Sequence, residues 1–293
     1  MDLPAYLAAR RAEIEAALDA YLPPAAEWPA LLHTAMRYSV ASGGKRLRPI
    51  LCLACAEAVG GSRDAALVPA VALEVLHTYT LIHDDLPAMD NDDLRRGRPT
   101  AHKAFGEANA ILAGDALSTL AFELLARVVA PPPYPPGQLA LELAEAAGSR
   151  GVAGGQFEDL AAEGHAPDAE RLACIHTHKT GQLFRAACRM GGIAAGADAA
   201  QLVRLTTYGE NLGLAFQIAD DVLNVTSSPE ESGKAVGSDA ARQKLTYAAL
   251  YGLDASRAKA RALVVEAQAA LPAFGPRAAP LTALADFAVA RSS

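Results

Sequence analysis

Aspartate is concentrated in one short stretch of this chain, and this feature constrains the fold more than any other. Positions 84, 85, 90, 92 and 93 are all aspartate, and they directly follow the largely apolar residues 79–82. Carboxylates at the edge of an apolar segment repel one another and need a counter-charge. Mg²⁺ supplies it by combining one or two carboxylates with substrate phosphates and water. Arg95 and Arg96 follow at once and suit phosphate oxygens, so the stretch predicts a magnesium and phosphate site at a helix end.

A second acidic pair, Asp220 and Asp221, lies at the end of another apolar run. Gln217, the two aspartates and Asn224 are spaced at i, i+3, i+4 and i+7, which places them on one side of a helix. Apolar residues crowd the same segment, so we expect this helix to be buried. Two acidic sites of this kind predict shared metal ions.

The composition favours an all-α fold. Alanine and leucine are abundant, only 5% of the residues are aromatic, and runs of β-branched residues are few, which together favour helix over sheet. The strongest break is the proline-rich stretch 131–137, where a helix cannot continue. Neither side of it carries a complete set of polar motifs, so we predict a surface loop within a single domain over residues 1–293.

Charge and targeting signals exclude several classes of partner. The net charge of −7 argues against a general affinity for nucleic acid or anionic membranes. We expect neither a signal peptide nor an apolar run of about 18 residues that would span a membrane. The four cysteines lack the further ligands of a zinc site and are expected to be free thiols. A soluble, cytoplasmic protein is the expectation.

Cationic residues occur in several further segments, at Lys45, Arg46, Arg48, Lys179, Lys234 and Lys244. None of these segments has the spacing of a Walker A loop or of a Gly-x-Gly-x-x-Gly turn, so a nucleotide-binding fold is not supported. Arg46 is expected to face solvent. His176 and His178 are expected to be structural, because positions two apart point in different directions on a helix.

Six motifs occur in order along the chain. They are residues 43–49, the aspartates from 84 to 93, residues 154–156, residues 179–181, Phe216 with Gln217, and Asp220 with Asp221. With these motifs in this order, the chain from about Tyr38 onward resembles the trans-isoprenyl diphosphate synthase family, in particular its bacterial farnesyl and geranylgeranyl diphosphate synthases. The resemblance implies a helical bundle around a deep central cavity, with the two acidic motifs facing each other across its mouth.

The resemblance also implies a role for each matching residue. Asp84, Asp90 and Asp220 would hold about three Mg²⁺ ions, and Asp85 would belong to the same catalytic set. The allylic diphosphate would bind Arg95, Lys179, Lys234 and Lys244. Isopentenyl diphosphate would bind Lys45, Arg48, His77 and Arg96, with Thr180 and Gln217 near the reacting carbons. In this family the released diphosphate is taken to be the base that ends the reaction, so no protein base is assigned.

Three positions depart from the family pattern. Asn224 replaces the third aspartate of the second motif, which removes a charge but keeps an oxygen, and weaker cation affinity is expected. Ser227 replaces a common glycine, and Ala248 replaces a common proline after Thr246 and Tyr247. Both are expected to alter loop shape only.

Product length depends on the residues one turn before the first aspartates, which are Tyr79 and Thr80. A tyrosine at this position, with the inserted Pro87 and Ala88, is similar to the bacterial farnesyl type. We therefore favour a C15 product over a C20 product. Tyr79 as an ordinary core residue is the alternative.

Two other functions compete with this interpretation. A class I terpene cyclase would share the first acidic motif, but Lys45, Arg48 and Arg96 would have no purpose in it. A non-catalytic regulatory subunit typically lacks motif aspartates, and Asn224 is one such loss, whereas the first motif is complete. The resemblance further implies a homodimer.

Overall fold

The computed structural model describes residues 1–166, 168–226 and 244–290. Its α-helices are α1 (Leu3–Tyr21), α2 (Ala30–Val40), α3 (Leu47–Val59), α4 (Arg63–Asp84), α5 (Ala101–Phe105), α6 (Glu107–Ala126), α7 (Gln138–Ala147), α8 (Val152–Ala162), α9 (Ala169–Ile175), α10 (Gln182–Ala194), α11 (Ala199–Thr226), α12 (Tyr247–Tyr251), α13 (Leu253–Ala269) and α14 (Ala279–Ala290). A π-helical turn (His176–Gly181) precedes α10, and a 3₁₀ segment (Pro272–Ala278) precedes α14. Within these ranges, the sole sheet is a hairpin of β1 (Leu94–Arg95) and β2 (Arg98–Pro99). The all-α prediction is confirmed.

Helices α3, α4, α10 and α11 form the centre of the hydrophobic core. Ile50, Leu73, Phe184 and Tyr208 are fully buried there, one from each helix. Helix α10 approaches α3 so closely at Gly191 that a Cβ at this position would lie 2.1 Å from the carbonyl oxygen of the facing residue. Glycine is needed at that crossing.

Helix α4 carries the first acidic motif to the edge of this core. Ser62 begins the helix by accepting a hydrogen bond from the backbone N–H of Asp64 at 3.2 Å, an interaction typical of N-cap residues. Most side chains from Ala66 to Leu76 are buried, so packing holds the helix in place up to its end at Asp84. The aspartates are therefore fixed relative to the core.

The stretch 131–137 is a surface loop between α6 and α7, as predicted. Leu125 before it and Leu139 after it are buried in the same hydrophobic core. The hydroxyl of Tyr134 donates to the carbonyl oxygen of Ala197 at 2.6 Å, which fixes the loop against the helices.

Helices α4 and α6 are long and apolar enough to cross a membrane by length and composition. The sequence interpretation expected no membrane span, and these two helices are only weak evidence for one. Core helices of soluble proteins pass the same test. In this fold, α4 has most of its apolar side chains packed against other helices.

Arg46 is buried and does not face solvent, so that prediction is wrong. Only 2% of the residue is exposed, and its guanidinium contacts Glu15 on α1 and Glu74 on α4. The sequence gives no sign of this environment, because both carboxylates are distant along the chain. By contrast, the cysteines are free as expected, with Cys52, Cys55 and Cys188 buried.

Candidate active site

The first acidic motif folds back on itself after α4. The backbone N–H of Asp90 donates to the carbonyl oxygen of Asp84 at 2.8 Å, which brings these two aspartates together. Asp85 is buried and accepts hydrogen bonds from Nε and Nη2 of Arg95 at distances from 2.6 to 2.9 Å. Arg95 comes from the hairpin, so this ion pair fixes the hairpin against the end of α4.

Two lysines lie among the carboxylates of the site. Nζ of Lys244 lies 3.0 Å from Oδ1 of Asp90 and 3.5 Å from Oδ2 of Asp159. Nζ of Lys179 lies 2.5 Å from the same oxygen of Asp159. Four charged side chains from the first motif, α8, the π-helical turn and the segment before α12 therefore converge.

Asp159 is a site residue that the sequence interpretation missed. Burial raises the pKa of its carboxyl, but the charges of Lys179 and Lys244 outweigh burial, and the pKa is lower than its ordinary value. A sequence signal for Asp159 was present, because it follows Gln156 by about one helical turn and Gln156 belongs to the motif at residues 154–156. Gly155 permits the contact, since a Cβ there would lie 2.2 Å from the backbone nitrogen of Lys179.

Asp84 has a carboxyl that is protonated more easily than usual. Burial raises its pKa to about 6, the neighbouring charge of Asp90 adds to the shift, and Lys179 opposes it. The electrostatic effect of Lys179 on Asp84 also places the π-helical turn close to the end of α4.

The second acidic motif divides its two aspartates between different environments. Asp220 is exposed, whereas Asp221 is only 3% exposed. Asp221 accepts hydrogen bonds from Nε2 of Gln217 at 2.9 Å and from the backbone N–H of Tyr247 at 2.7 Å. Asp221 therefore connects α11 to α12 through a hydrogen bond. Asp220 is exposed, so its carboxylate is accessible to a ligand.

The π-helical turn connects the two motifs. Its Lys179 contacts Asp159, and the next residue, Thr180, donates its hydroxyl hydrogen to Oε1 of Gln217 at 2.7 Å. Single π-helical turns often occur at functional sites. His176, in the same turn, is buried with Nε2 3.3 Å from Oδ2 of Asp221, in agreement with a structural role.

A second cationic cluster lies where the loop before α3 meets the hairpin. Nη1 of Arg48 is 3.1 Å from Nε2 of His77 on α4. Burial, followed by the charges of Arg48 and Arg96, lowers the pKa of His77 well below its ordinary value, so the imidazole is neutral. Burial, together with the charge of Arg96, lowers the pKa of Arg48 to about 10 against the opposing charge of Glu74.

Gly44 allows Arg96 to join this cluster. Its φ is +125°, and a Cβ would lie 2.4 Å from Nη1 of Arg96, so any other residue would displace that guanidinium. Lys45 is exposed in the same loop. The structure therefore brings Arg48, His77 and Arg96 together. Lys45 lies three positions before Arg48 in the chain.

The predicted cavity-floor residues lie one turn before Asp84. Tyr79 is half-buried, and its ring packs edge-on against the ring of His83 with centroids 4.8 Å apart. Nε2 of His83 lies 3.1 Å from the carbonyl oxygen of Ile111 on α6. The hydroxyl of Thr80 donates to the carbonyl oxygen of His77 within the same helix.

The donor set suits magnesium only in combination with a phosphate ligand. Among the residues that the structure describes, no three histidine, cysteine or acidic side chains form a ready cage for a metal. Asp84, Asp90 and Asp220 supply the hard oxygen donors that Mg²⁺ prefers, and Mg²⁺ usually completes its shell with phosphate and water. Lys234 and Ser227, also singled out from the sequence, lie outside the described residues.

Comparison with known proteins agrees with this fold. Residues 29–270 match the polyprenyl synthetase family model. A dimethylallyltranstransferase of Fischerella ambigua is 48% identical over 99% of this chain and 84% of its own length. A geranylgeranyl diphosphate synthase of Cyanophora paradoxa is 44% identical, with coverage of 98% and 96%.

Solved structures give the same result. A farnesyl and geranylfarnesyl diphosphate (FPP/GFPP) synthase from Zymomonas mobilis has a TM-score of 0.86 and 40% identity, with coverage of 98% of this chain and 99% of its own. A geranylgeranyl pyrophosphate synthetase from Pyrococcus horikoshii has a TM-score of 0.89 and 31% identity, with 98% of each chain covered. The chain belongs to the polyprenyl synthetase family.

Proposed function

We propose that this protein is a magnesium-dependent head-to-tail prenyltransferase that joins isopentenyl diphosphate to an allylic diphosphate. The observation that carries the proposal is the presence of two separate cationic clusters around one set of carboxylates. Lys179, Lys244 and Arg95 lie among the aspartates, whereas Arg48, His77 and Arg96 form the second cluster. Two diphosphate substrates need two such clusters, and a terpene cyclase needs one.

The allylic diphosphate binds at the first cluster in this proposal. Lys179 and Lys244 form ion pairs with Asp159 and Asp90. A diphosphate anion competes for the lysines and leaves the carboxylates available to cations. Asp84, Asp90 and Asp220 would hold Mg²⁺, which would supply positive charge to the departing diphosphate. Lys234 is proposed to add a further positive charge.

Isopentenyl diphosphate binds at Lys45, Arg48, His77 and Arg96. A neutral His77 accepts a hydrogen bond from Arg48, so the guanidinium is oriented and its other N–H groups can reach a phosphate oxygen. The oxygens of Thr180 and Gln217 stabilise the allylic cation electrostatically. The released diphosphate takes the proton that is lost at the end, as the family resemblance implies.

We propose geranylgeranyl diphosphate (C20) as the main product. The C15 expectation from the sequence has less support, because several relatives are named geranylgeranyl diphosphate synthases. Farnesyl diphosphate (C15) is the alternative.

The proposal extends to the assembly of the molecule. We propose one domain over residues 1–293, because helices from both halves share a hydrophobic core. We also propose a homodimer that buries the exposed Ile111 and Leu112 of α6. The cytoplasm is the proposed compartment, although several relatives are chloroplastic by name.

The test is turnover by the purified chain alone. The protein is incubated with Mg²⁺, isopentenyl diphosphate and dimethylallyl diphosphate, and the dephosphorylated alcohols are chromatographed. We expect a C20 alcohol, and a C15 alcohol as main product would favour the alternative. No elongation by this chain alone would support a regulatory subunit instead.

Paired variants make the same assay specific for the site. Asp84→Asn should lower kcat by about 100-fold or more, since electrostatic stabilisation of this kind contributes several kcal/mol. Asp93→Asn is the matched control, because Asp93 is exposed and pairs with Lys103 at the surface. Equal activity of both variants would contradict the metal site.

A further inference from the structure

Helix α1 precedes residues 29–270, which match the family model, yet one of its side chains contacts Arg46, in the loop that carries Lys45 and leads into Arg48 on α3. Nε of Arg46 lies 2.8 Å from Oε1 of Glu15 on α1, and Nη2 lies 3.3 Å from Oε2. The contact joins a helix outside the matched segment to the loop proposed to bind isopentenyl diphosphate.

Three different elements hold the guanidinium of Arg46. Besides Glu15, its Nη1 donates to Oε1 of Glu74 on α4 at 2.7 Å, and its Nη2 donates to the carbonyl oxygen of Val40 at the end of α2 at 2.6 Å. The rigid fork of an arginine fixes both position and direction when several of its donors are used. Arg46 is therefore anchored to α1, α2 and α4 at once.

The anchored residue determines where the loop goes. Arg46 has φ of 51°, in the left-handed region, which an arginine adopts only where the surroundings enforce it. Lys45 precedes it directly, and Arg48 follows two residues later in the first turn of α3. The anchor thus lies between the two cations that it would position.

Charge repulsion explains why the loop needs an anchor. Burial lowers the pKa of both Arg48 and Arg96. The charge of Arg96 adds to the shift of Arg48, and the charge of Arg46 adds to the shift of Arg96, whereas Glu74 opposes both. These cations would separate without nearby carboxylates. Glu74 is one such carboxylate, and Glu15 supplies a second from α1.

We propose that Glu15 and Arg46 are positioning residues for the isopentenyl diphosphate site: α1, through this ion pair, holds Lys45 and Arg48 in the geometry that binds the diphosphate. The inference rests on the proposed function of the second cationic cluster. Neither residue touches substrate in this account, so each acts through the loop.

The test compares two Glu→Gln variants. Each replaces a carboxylate that takes part in a contact between α1 and another part of the fold. Glu15→Gln weakens the ion pair with Arg46, which keeps Glu74 and Val40 as partners, so the variant should fold. Glu57→Gln is the matched control, because Glu57 on α3 binds Tyr6 and Arg10 of α1 at 2.9 and 3.4 Å, away from the loop. KM for each substrate, kcat and the thermal midpoint are measured for both.

We expect Glu15→Gln to raise KM for isopentenyl diphosphate about three- to tenfold, as expected for a charge-assisted contact of modest strength. KM for the allylic diphosphate should stay unchanged. Glu57→Gln should leave both KM values unchanged, whatever it does to the thermal midpoint. Arg46→Lys, which keeps the charge but not the fork, should reproduce the KM effect of Glu15→Gln.

Two results would overturn the proposal. One is an unchanged KM for isopentenyl diphosphate in Glu15→Gln, and the other is an equal rise in both KM values, which would indicate general loosening. Lys45→Gln separates this failure from failure of the proposed function. If Lys45→Gln raises that KM and Glu15→Gln does not, only the positioning role is wrong. If Lys45→Gln has no effect, the binding site itself is wrong and the inference falls with it.

Discussion

At the scale of single residues, the carboxyl of Asp84 has a pKa of about 6 because burial disfavours its charged form. In the proposed site, metal binding would need the ionised form, so protons and Mg²⁺ would compete for the same oxygens. Above about pH 7 the carboxylate is ionised and the competition is weak. Below about pH 6, the Mg²⁺ concentration for half-maximal activity should rise about tenfold per pH unit.

The measurement is a series of Mg²⁺ titrations of initial rate from about pH 5.5 to pH 8. Circular dichroism at each pH checks that the protein stays folded. A half-maximal Mg²⁺ concentration that stays constant down to pH 5.5 would show that Asp84 is not a metal ligand or is not shifted.

Residue chemistry could be predicted wherever a motif lies within one stretch of sequence. The acidic motif and Arg95 lie within ten positions of one another, so the sequence predicted them to lie together, although it did not predict the ion pair of Asp85 with Arg95. Arg46 differs, because its partners Glu15 and Glu74 lie 31 and 28 positions away. A residue type alone gives no indication of such partners, so an arginine is assigned to the surface by default.

At the scale of elements, the face of α4 one turn before Asp84 would limit product length. Tyr79→Ala removes a large ring from this face, and the space becomes available to a growing prenyl chain. We expect a product longer by at least one isoprene unit, seen by chromatography of the alcohols. Tyr79→Phe is the matched control because it keeps the ring and should keep the product length. An unchanged product in Tyr79→Ala would show that another residue forms the floor.

Helix boundaries were predictable from breaks such as residues 131–137, but the π-helical turn was not. The turn inserts within an otherwise continuous helical segment from Ala169 to Ala194. It directs Lys179 to Asp159 and Thr180 to Gln217. Sequence periodicity of 3.6 residues cannot reveal one extra residue per turn, and only contacts on both sides of the turn make it stable.

At the scale of the whole molecule, segments beyond residues 29–270 complete the fold. Helix α1 contacts the loop before α3, and α14 packs against α11 at the other end of the chain. Both helices are rich in alanine and leucine, which favours helix, but their docking positions depend on pairs such as Tyr208 with Leu281. These pairs join residues far apart in sequence, so tertiary structure was needed to find them.

Tyr208 offers a direct test of how α14 is held. It is fully buried, and its hydroxyl donates to the carbonyl oxygen of Leu281 at 2.7 Å. Tyr208→Phe leaves that buried carbonyl without this donor, which should cost about 1–2 kcal/mol in the free energy of unfolding and lower the thermal midpoint by roughly 2–4 °C. Since Tyr208 is outside the proposed site, kcat should not change. Tyr21→Phe, at an exposed position, is the control and should have no effect. If Tyr208→Phe instead lowered kcat without lowering the thermal midpoint, the prediction would be wrong. That result would indicate that the contact of α14 with α11 affects the position of Asp220 and Asp221 near the C-terminal end of α11.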